Sequence, residues 1–314
     1  MSKTLTFLST ALAVITMLAA CGGDAGNEAD GLTGEVIIDG SSTVFPIAEA
    51  VAEEFQIAHR GVRVSVGISG SGGGFSRFCA GETDVSNASR PIGEGEVADC
   101  EAAGIEFTEL PIAIDGLSVI ANPQNEFLQC LTVEELRRIW EPGSSVQTWR
   151  DVRSEWPAER IVLYGPGTDS GTFDYFTETI MGESGASRAD YQASEDDNIL
   201  VQGVAGDRYA LGYLGYAYFM ENQDRLRVVG VDGGEGCVTP SDETIDDGSY
   251  QPLSRPLFIY VKHDALSRPA VEAFVEFTLE NAPEVVPSTG YLALSAEEYA
   301  EDMERLQAAA AASN

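Results

Sequence analysis

The chain has 314 residues, 44% of them apolar and 9% aromatic, which is ordinary for a globular protein with its own core. That length allows one large domain or two medium ones. Its 51 acidic residues against 18 basic ones give a formal charge of −33, a surface that repels nucleic acid and anionic membranes and suits a saline medium.

At the N-terminus one early cation, Lys3, precedes an apolar stretch from Leu5 to Leu18. The stretch is too short and too weakly flanked for a dedicated membrane span, and residues 1–20 read as a lipoprotein signal peptide. Leu18-Ala19-Ala20-Cys21 resembles a bacterial lipobox, which implies cleavage before Cys21 and lipidation of its sulfur. The alternative is an ordinary secretory signal. Residues 21–34, ending in GGDAGNEADGLTG, read as a flexible tether.

Short β-rich runs then alternate with helical patterns. EVIIDG predicts a strand, and PIAEAVAEEF a helix with Pro46 early and Ile47, Val51 and Phe55 at helical spacing. VRVSVGIS predicts a second strand, and GGFSRFCAG a short helix stopped by Gly81. LTVEELRRIW opens with a Thr132-x-x-Glu135 capping box. RIVLYG predicts a strand feeding the helix GTFDYFTETIMG, and ASEDDNILVQGVAG another capped helix. ALGYLGYAYF, LRVVGVDG and PLFIYV read as strands, and RPAVEAFVEFTLEN as an amphipathic helix. The tail LQAAAAASN reads as frayed. Strand–helix alternation argues an α/β fold with mostly parallel sheets.

Beyond Cys21 stand Cys79, Cys100, Cys130 and Cys237, which allow three pairings. No pair has CxxC spacing and the chain has only two His, so no zinc site is expected. In an oxidising compartment the expected bridges are Cys79–Cys100 and Cys130–Cys237.

In α/β sheets ligands sit beyond the carboxyl ends of the strands. Three loops share that place: DGSSTVFP (39–46), ISGSGGGF (68–75) and GPGTDSGTF (165–173). Each is rich in Gly, Ser and Thr, and each opens a helix. Glycine lets backbone N–H groups crowd toward one point. A helix N-terminus adds unpaired donors and about half a positive charge. Ser and Thr hydroxyls donate further bonds, so a small oxyanion can be held without Lys. The alternatives fit worse. No loop ends in the GK[ST] of a P-loop, and GSGGGF misses the dinucleotide spacing. A nucleophilic Ser170 needs a His base, yet His59 and His263 lie in stretches that read as solvated or structural. In GETDVSNASRPI (81–92), Arg90 is the one cation in a loop of this kind, whereas Arg77 reads as an exposed helix residue.

DGSSTVFPIAEAVAEEF, VGISGSGGGFSRFCAGETDVSNASRPI and YGPGTDSGTFDYF together resemble the phosphate-binding proteins of high-affinity phosphate ABC transporters. The resemblance covers most of residues 35–290. It implies a two-lobed periplasmic-binding-protein fold, type II-like. Two mixed or parallel sheets are joined by crossover strands, with the ligand in the interlobe cleft. Residues 35–118 plus 257–314 are then one lobe and 122–254 the other, with LSVIANP and RPLFIYV as the crossings. It implies a monomeric receptor with no enzymatic activity and no cofactor or metal. That receptor binds phosphate outside the cytoplasmic membrane and delivers the ion to permease subunits, and the lipobox adds a lipid anchor at Cys21.

Carried over position by position, Ser42, Thr43 and the Val44 amide form the first anion loop. Ser71 and Gly72 form the second, and Ser170, Gly171 and Thr172 match the family's SGT in the third. Well-known members carry Asp where Ser89 stands and Arg where Pro166 stands. Here Arg90 is expected to supply the cation and Asp169 the carboxylate, the alternative for Asp169 being a helix cap. A receptor for sulfate or molybdate is the rival within binding proteins. An exported phosphohydrolase or an adhesive protein is the rival outside them.

Overall fold

The computed structural model describes residues 31–168 and 170–313. The signal peptide, Cys21 and nearly all of the tether, together with Asp169, lie outside the described residues.

β1 (Gly34–Gly40) leads into α1 (Phe45–Ala58), β2 (Val62–Val66) into α2 (Gly70–Cys79), and β3 (Val85–Ala88) into α3 (Glu94–Ala102). The long β4 (Phe107–Ala121) follows. The middle of the chain forms β5 (Cys130–Thr132), α4 (Val133–Trp140), α5 (Trp149–Val152), β6 (Val162–Pro166) and α6 (Gly171–Met181). Next come β7 (Gln192–Ser194), α7 (Asp197–Gly206), β8 (Ala210–Gly215), α8 (Tyr216–Glu221), β9 (Arg227–Asp232), β10 (Cys237–Val238) and α9 (Asp242–Asp246). β11 (Ser254–Lys262), α10 (His263–Leu266), α11 (Pro269–Ser288) and α12 (Ala296–Ser313) complete it.

The strands run in the order β2-β1-β3-β11-β4-β8-β6-β7. β1 pairs in parallel with β2 and β3, and β6 with β7 and β8, as βαβ connections require. β4 makes the link. Phe107–Gly116 pair with β11, and Leu117–Ala121 pair with β8. One strand therefore belongs to both halves and joins them, while β9 branches off β4 and carries β5 and β10. β11 runs antiparallel between β3 and β4 and stays in the first half.

Helices cover both faces of the first half. Phe55 of α1 meets Phe274 of α11 edge-on at 5.3 Å. On the opposite face α2 seals a smaller core of Phe75, Phe78, Phe258 and Tyr260. In the second half Phe176 stacks on Tyr213 at 3.8 Å, beside the buried Trp140. Full burial of side chains this size contributes roughly 1.5–3 kcal/mol each.

The Thr132–Glu135 capping box forms, with Thr132 Oγ1 accepting from the Glu135 amide at 3.1 Å. Four readings need correction. ALGYLGYAYF is a strand only to Gly215; α8 then buries Tyr216 and Phe219. GETDVSNASRPI contains a fully buried strand, β3, not only a loop. LQAAAAASN is not frayed, because alanine is the best helix former and Leu306, Ala309 and Ala310 pack inward on α12. Arg77 is not merely an exposed residue, since its guanidinium pairs with the buried Asp39.

Both expected disulfides, Cys79–Cys100 and Cys130–Cys237, are present. Cys79–Cys100 ties the end of α2 to α3 across 21 residues. Closing a loop of that size stabilises by about 3 kcal/mol in the chain-entropy account. The double substitution C79A/C100A is expected to lower unfolding free energy by roughly that amount in urea titration. A loss below about 0.5 kcal/mol would show the bridge to be incidental to stability.

Candidate functional site

Three helix openings meet at one end of the strands. Asp39 closes β1: its Oδ1 accepts from the Gly40 amide at 2.7 Å, and Oδ2 pairs with Arg77. Ser41 N donates to Asn87 O of β3 at 2.9 Å, and Phe45 N to Ser41 O at 3.1 Å, which turns the chain into α1. The second loop is tied to the first, because Ser69 N donates to Gly40 O at 3.1 Å and Gly67 N to Ile38 O at 2.8 Å. Gly70 opens α2 with φ +74°, a backbone region that favours glycine. Ser71 Oγ accepts from the Ser89 amide at 3.1 Å and lies 3.1 Å from Ser89 Oγ, joining the second loop to β3. The third opening is capped by Ser170, whose Oγ accepts from the Thr172 amide at 3.2 Å. A Cβ placed on Gly171 would stand 3.3 Å from Thr43 Oγ1, so α6 starts against the first loop.

Between these elements lies a cavity of about 280 Å³. Six of the expected residues line it: Ser42, Thr43, Ser71, Gly72, Ser89 and Arg90. Val44 sits buried behind them as the residue before α1. Gly171 reaches the wall through Thr43, while Ser170 and Thr172 shape the start of α6 and are not among the lining residues. Asp169 lies outside the described residues.

The cavity also takes side chains that sequence reasoning missed, above all Asp174 and Glu178, one turn apart on α6, and Arg255 at the start of β11. A signal for Arg255 existed. Ser254-Arg255-Pro256 repeats the Ser89-Arg90-Pro91 triplet, as Ser267-Arg268-Pro269 does again, and a residue before proline is held extended. Nothing in the sequence says that the second triplet faces the first loop.

The two arginines differ in their surroundings. Arg90 Nη1 and Nη2 each stand 2.8 Å from the Glu96 carboxylate. That paired bond holds the Glu96 carboxyl below its usual range and raises Arg90. Arg255 is more buried, at 14% against 42% side-chain exposure. Its Nε and Nη2 are both 3.3 Å from Asp115 Oδ2. Burial pushes the Asp115 carboxyl upward while Arg255 pulls it down.

A larger groove of about 680 Å³ runs between α1 and β2, lined by residues such as Phe45, Glu53 and Val64. It has no cation and no hydroxyl on its walls, so its size does not make it an anion site. Neither His lines the small cavity. The His59 ring packs 4.4 Å from Phe55, and His263 Nε2 meets Thr108 Oγ1 at 2.9 Å. Among the described residues no group of three His, Cys, Asp or Glu is placed to hold a metal ion.

An α/β fold that gathers Gly-, Ser- and Thr-rich helix openings and two arginines around one small polar cavity has the make-up of a solute-binding protein. The comparisons agree: a PBP superfamily domain model matches residues 25–282. The chain belongs to that superfamily and, within it, to the family of phosphate-binding proteins. It is 51% identical over 267 residues to Protein SphX of Synechocystis sp., covering 84% of this chain and 80% of that protein. It is 39% identical over 308 residues to the phosphate-binding protein PstS of Staphylococcus saprophyticus, covering 98% and 95%. Its fold is similar to the crystal structure of a possible phosphate binding protein from Planctomyces limnophilus. There the TM-score is 0.86 at 48% identity, covering 88% of this chain and 99% of that one. The family expected from the three motifs is the family found, that of proteins named for binding phosphate.

Proposed function

We propose that this protein binds inorganic phosphate outside the cytoplasmic membrane and delivers it to the permease of an ABC transporter. One observation carries the reading: the first two Gly/Ser/Thr loops and Arg90 converge on a single 280 Å³ cavity, with the third helix opening against its wall. A tetrahedral oxyanion fits that arrangement because helix N-termini, hydroxyls and guanidinium groups all donate hydrogen bonds. Ser42, Thr43, the Val44 amide, Ser71, Gly72, Ser89 and Arg90 are its ligands from the first half. Asp169, Ser170, Gly171 and Thr172 are those from the second.

The magnitudes are sufficient. Charge-assisted hydrogen bonds contribute roughly 1.5–3 kcal/mol each. About ten of them, less the cost of dehydrating the ion, reach the roughly −8 kcal/mol of micromolar binding. The surface charge opposes an anion at long range, but salt screens it while the loop dipoles act at contact. Residues 35–118 with 257–314, and residues 122–254, form the two lobes in this reading. They close on the ion as a monomer, and a lipid on Cys21 keeps the receptor beside its permease.

Titration calorimetry with phosphate, arsenate and sulfate tests the reading. Phosphate is expected to bind at micromolar affinity or tighter with a one-to-one ratio, and a phosphate ester is expected to release no product. Heat with sulfate alone would transfer the site to another oxyanion, and steady ester turnover would make it an enzyme.

A further inference from the structure

Arg255 stands where β11 begins, between the first anion loop and α6. Its Cζ lies 3.6 Å from the centroid of the Tyr175 ring, so the guanidinium sits over a side chain of α6. Nη2 is 3.3 Å from Thr43 Oγ1 as well as from Asp115 Oδ2. Nη1 is 3.7 Å from the exposed Glu178 carboxylate. These distances are long beside the roughly 2.7–2.9 Å of a committed N⁺–H···O⁻ bond. Arg90 contrasts with it, because both of its terminal nitrogens are spent on Glu96 at 2.8 Å.

We propose that Arg255 is a principal cationic ligand of the anion, one that the family motifs do not assign. Its terminal nitrogens take oxyanion oxygens in place of Glu178, while Tyr175 and Asp115 hold its plane. The proposal rests on the phosphate-binding reading. It also gives Arg255 a second role. Tyr175 and Glu178 belong to α6, whereas Thr43 and Asp115 belong to the first loop and β4. A bound anion on Arg255 therefore joins the two sets of elements at one charge.

The test is phosphate titration of the full chain and its variants, with melting curves beside each. Arg255→Gln is expected to weaken binding about a hundredfold or more, as loss of a buried charge partner does. Arg255→Lys keeps the charge but not the planar fork and is expected to lose about tenfold. Arg90→Gln is expected to lose about tenfold, less than Arg255→Gln, and the exposed Arg63→Gln nothing. If Arg255→Gln does not melt cooperatively, Arg255→Lys decides. A lysine variant with a lowered melting temperature and unchanged phosphate affinity would reduce Arg255 to a structural residue and overturn the proposal. So would wild-type affinity in Arg255→Gln, or a larger loss in Arg90→Gln. A wild-type chain that binds no phosphate overturns the functional reading and this inference together, whereas phosphate binding untouched by Arg255→Gln overturns the inference alone.

Discussion

Gly40→Ala is expected to lower stability by about 3–5 kcal/mol and to take most of the phosphate affinity with it. Gly40 ends β1 with φ +142°, a conformation L side chains rarely adopt. A Cβ there would stand 2.1 Å from Asn87 O and 2.9 Å from Asn87 N. Neither is a side-chain atom that can swing away. Asn87 belongs to β3, which is held between β1 and β11, and its carbonyl already accepts from Ser41 N. Relief therefore means prising β1 from β3 at the base of the first anion loop. The second loop moves with it, since Ser69 N is bonded to Gly40 O and a Cβ on Gly74 of α2 would stand 2.6 Å from Gly40 Cα. Gly81→Ala is the control. It has φ +79°, but nothing lies within 4 Å of its Cβ position, so only backbone strain of about 1–2 kcal/mol is expected. Urea unfolding of both variants decides the point. Equal losses would mean that close approach is not what Gly40 provides.

That pair of glycines shows where sequence reasoning reached and where it stopped. The composition of the three loops is local, and so is the reason such loops bind anions. The capping box is local too, a four-residue stretch whose end residues, Thr132 and Glu135, satisfy one another. The Thr43–Arg255 bond spans 212 positions, and no short pattern encodes which loop a distant Arg will face. The same limit explains Arg77. Its helix spacing read as solvent-facing, but β1 brings the buried Asp39 beneath it. It explains α12 as well. A run of alanines has no amphipathic signature, yet Leu306 finds a buried place and the Tyr299 hydroxyl donates to Ile112 O of β4 at 2.7 Å. Helical propensity was visible in those alanines, while the surface that fixes the helix was not.

Sulfate is expected to bind at least about a thousandfold more weakly than phosphate, and Asp169→Asn to erase most of that difference. Carboxylates beside an anion site are a liability unless the anion carries a proton. Hydrogen phosphate and dihydrogen phosphate donate to a carboxylate, whereas sulfate has nothing to donate and meets an uncompensated repulsion. Three carboxylates are candidates for the acceptor. Asp174 Oδ1 already accepts from Ser184 Oγ at 2.9 Å, and Glu178 lies against Arg255. Asp169 directly precedes the proposed ligands Ser170, Gly171 and Thr172 in the sequence. Asp169→Asn keeps a capping oxygen and adds an amide donor. It is expected to weaken phosphate, strengthen sulfate and narrow their ratio by about a hundredfold. Asp174→Asn is expected to leave the ratio within about threefold of wild type, because that carboxylate is engaged by Ser184. Calorimetry of wild type and both variants with both anions separates the cases. A ratio that collapses in Asp174→Asn and not in Asp169→Asn would move the proton acceptor one turn into α6. A ratio unchanged in both would place discrimination in the donors, with Asp169 reduced to a helix cap.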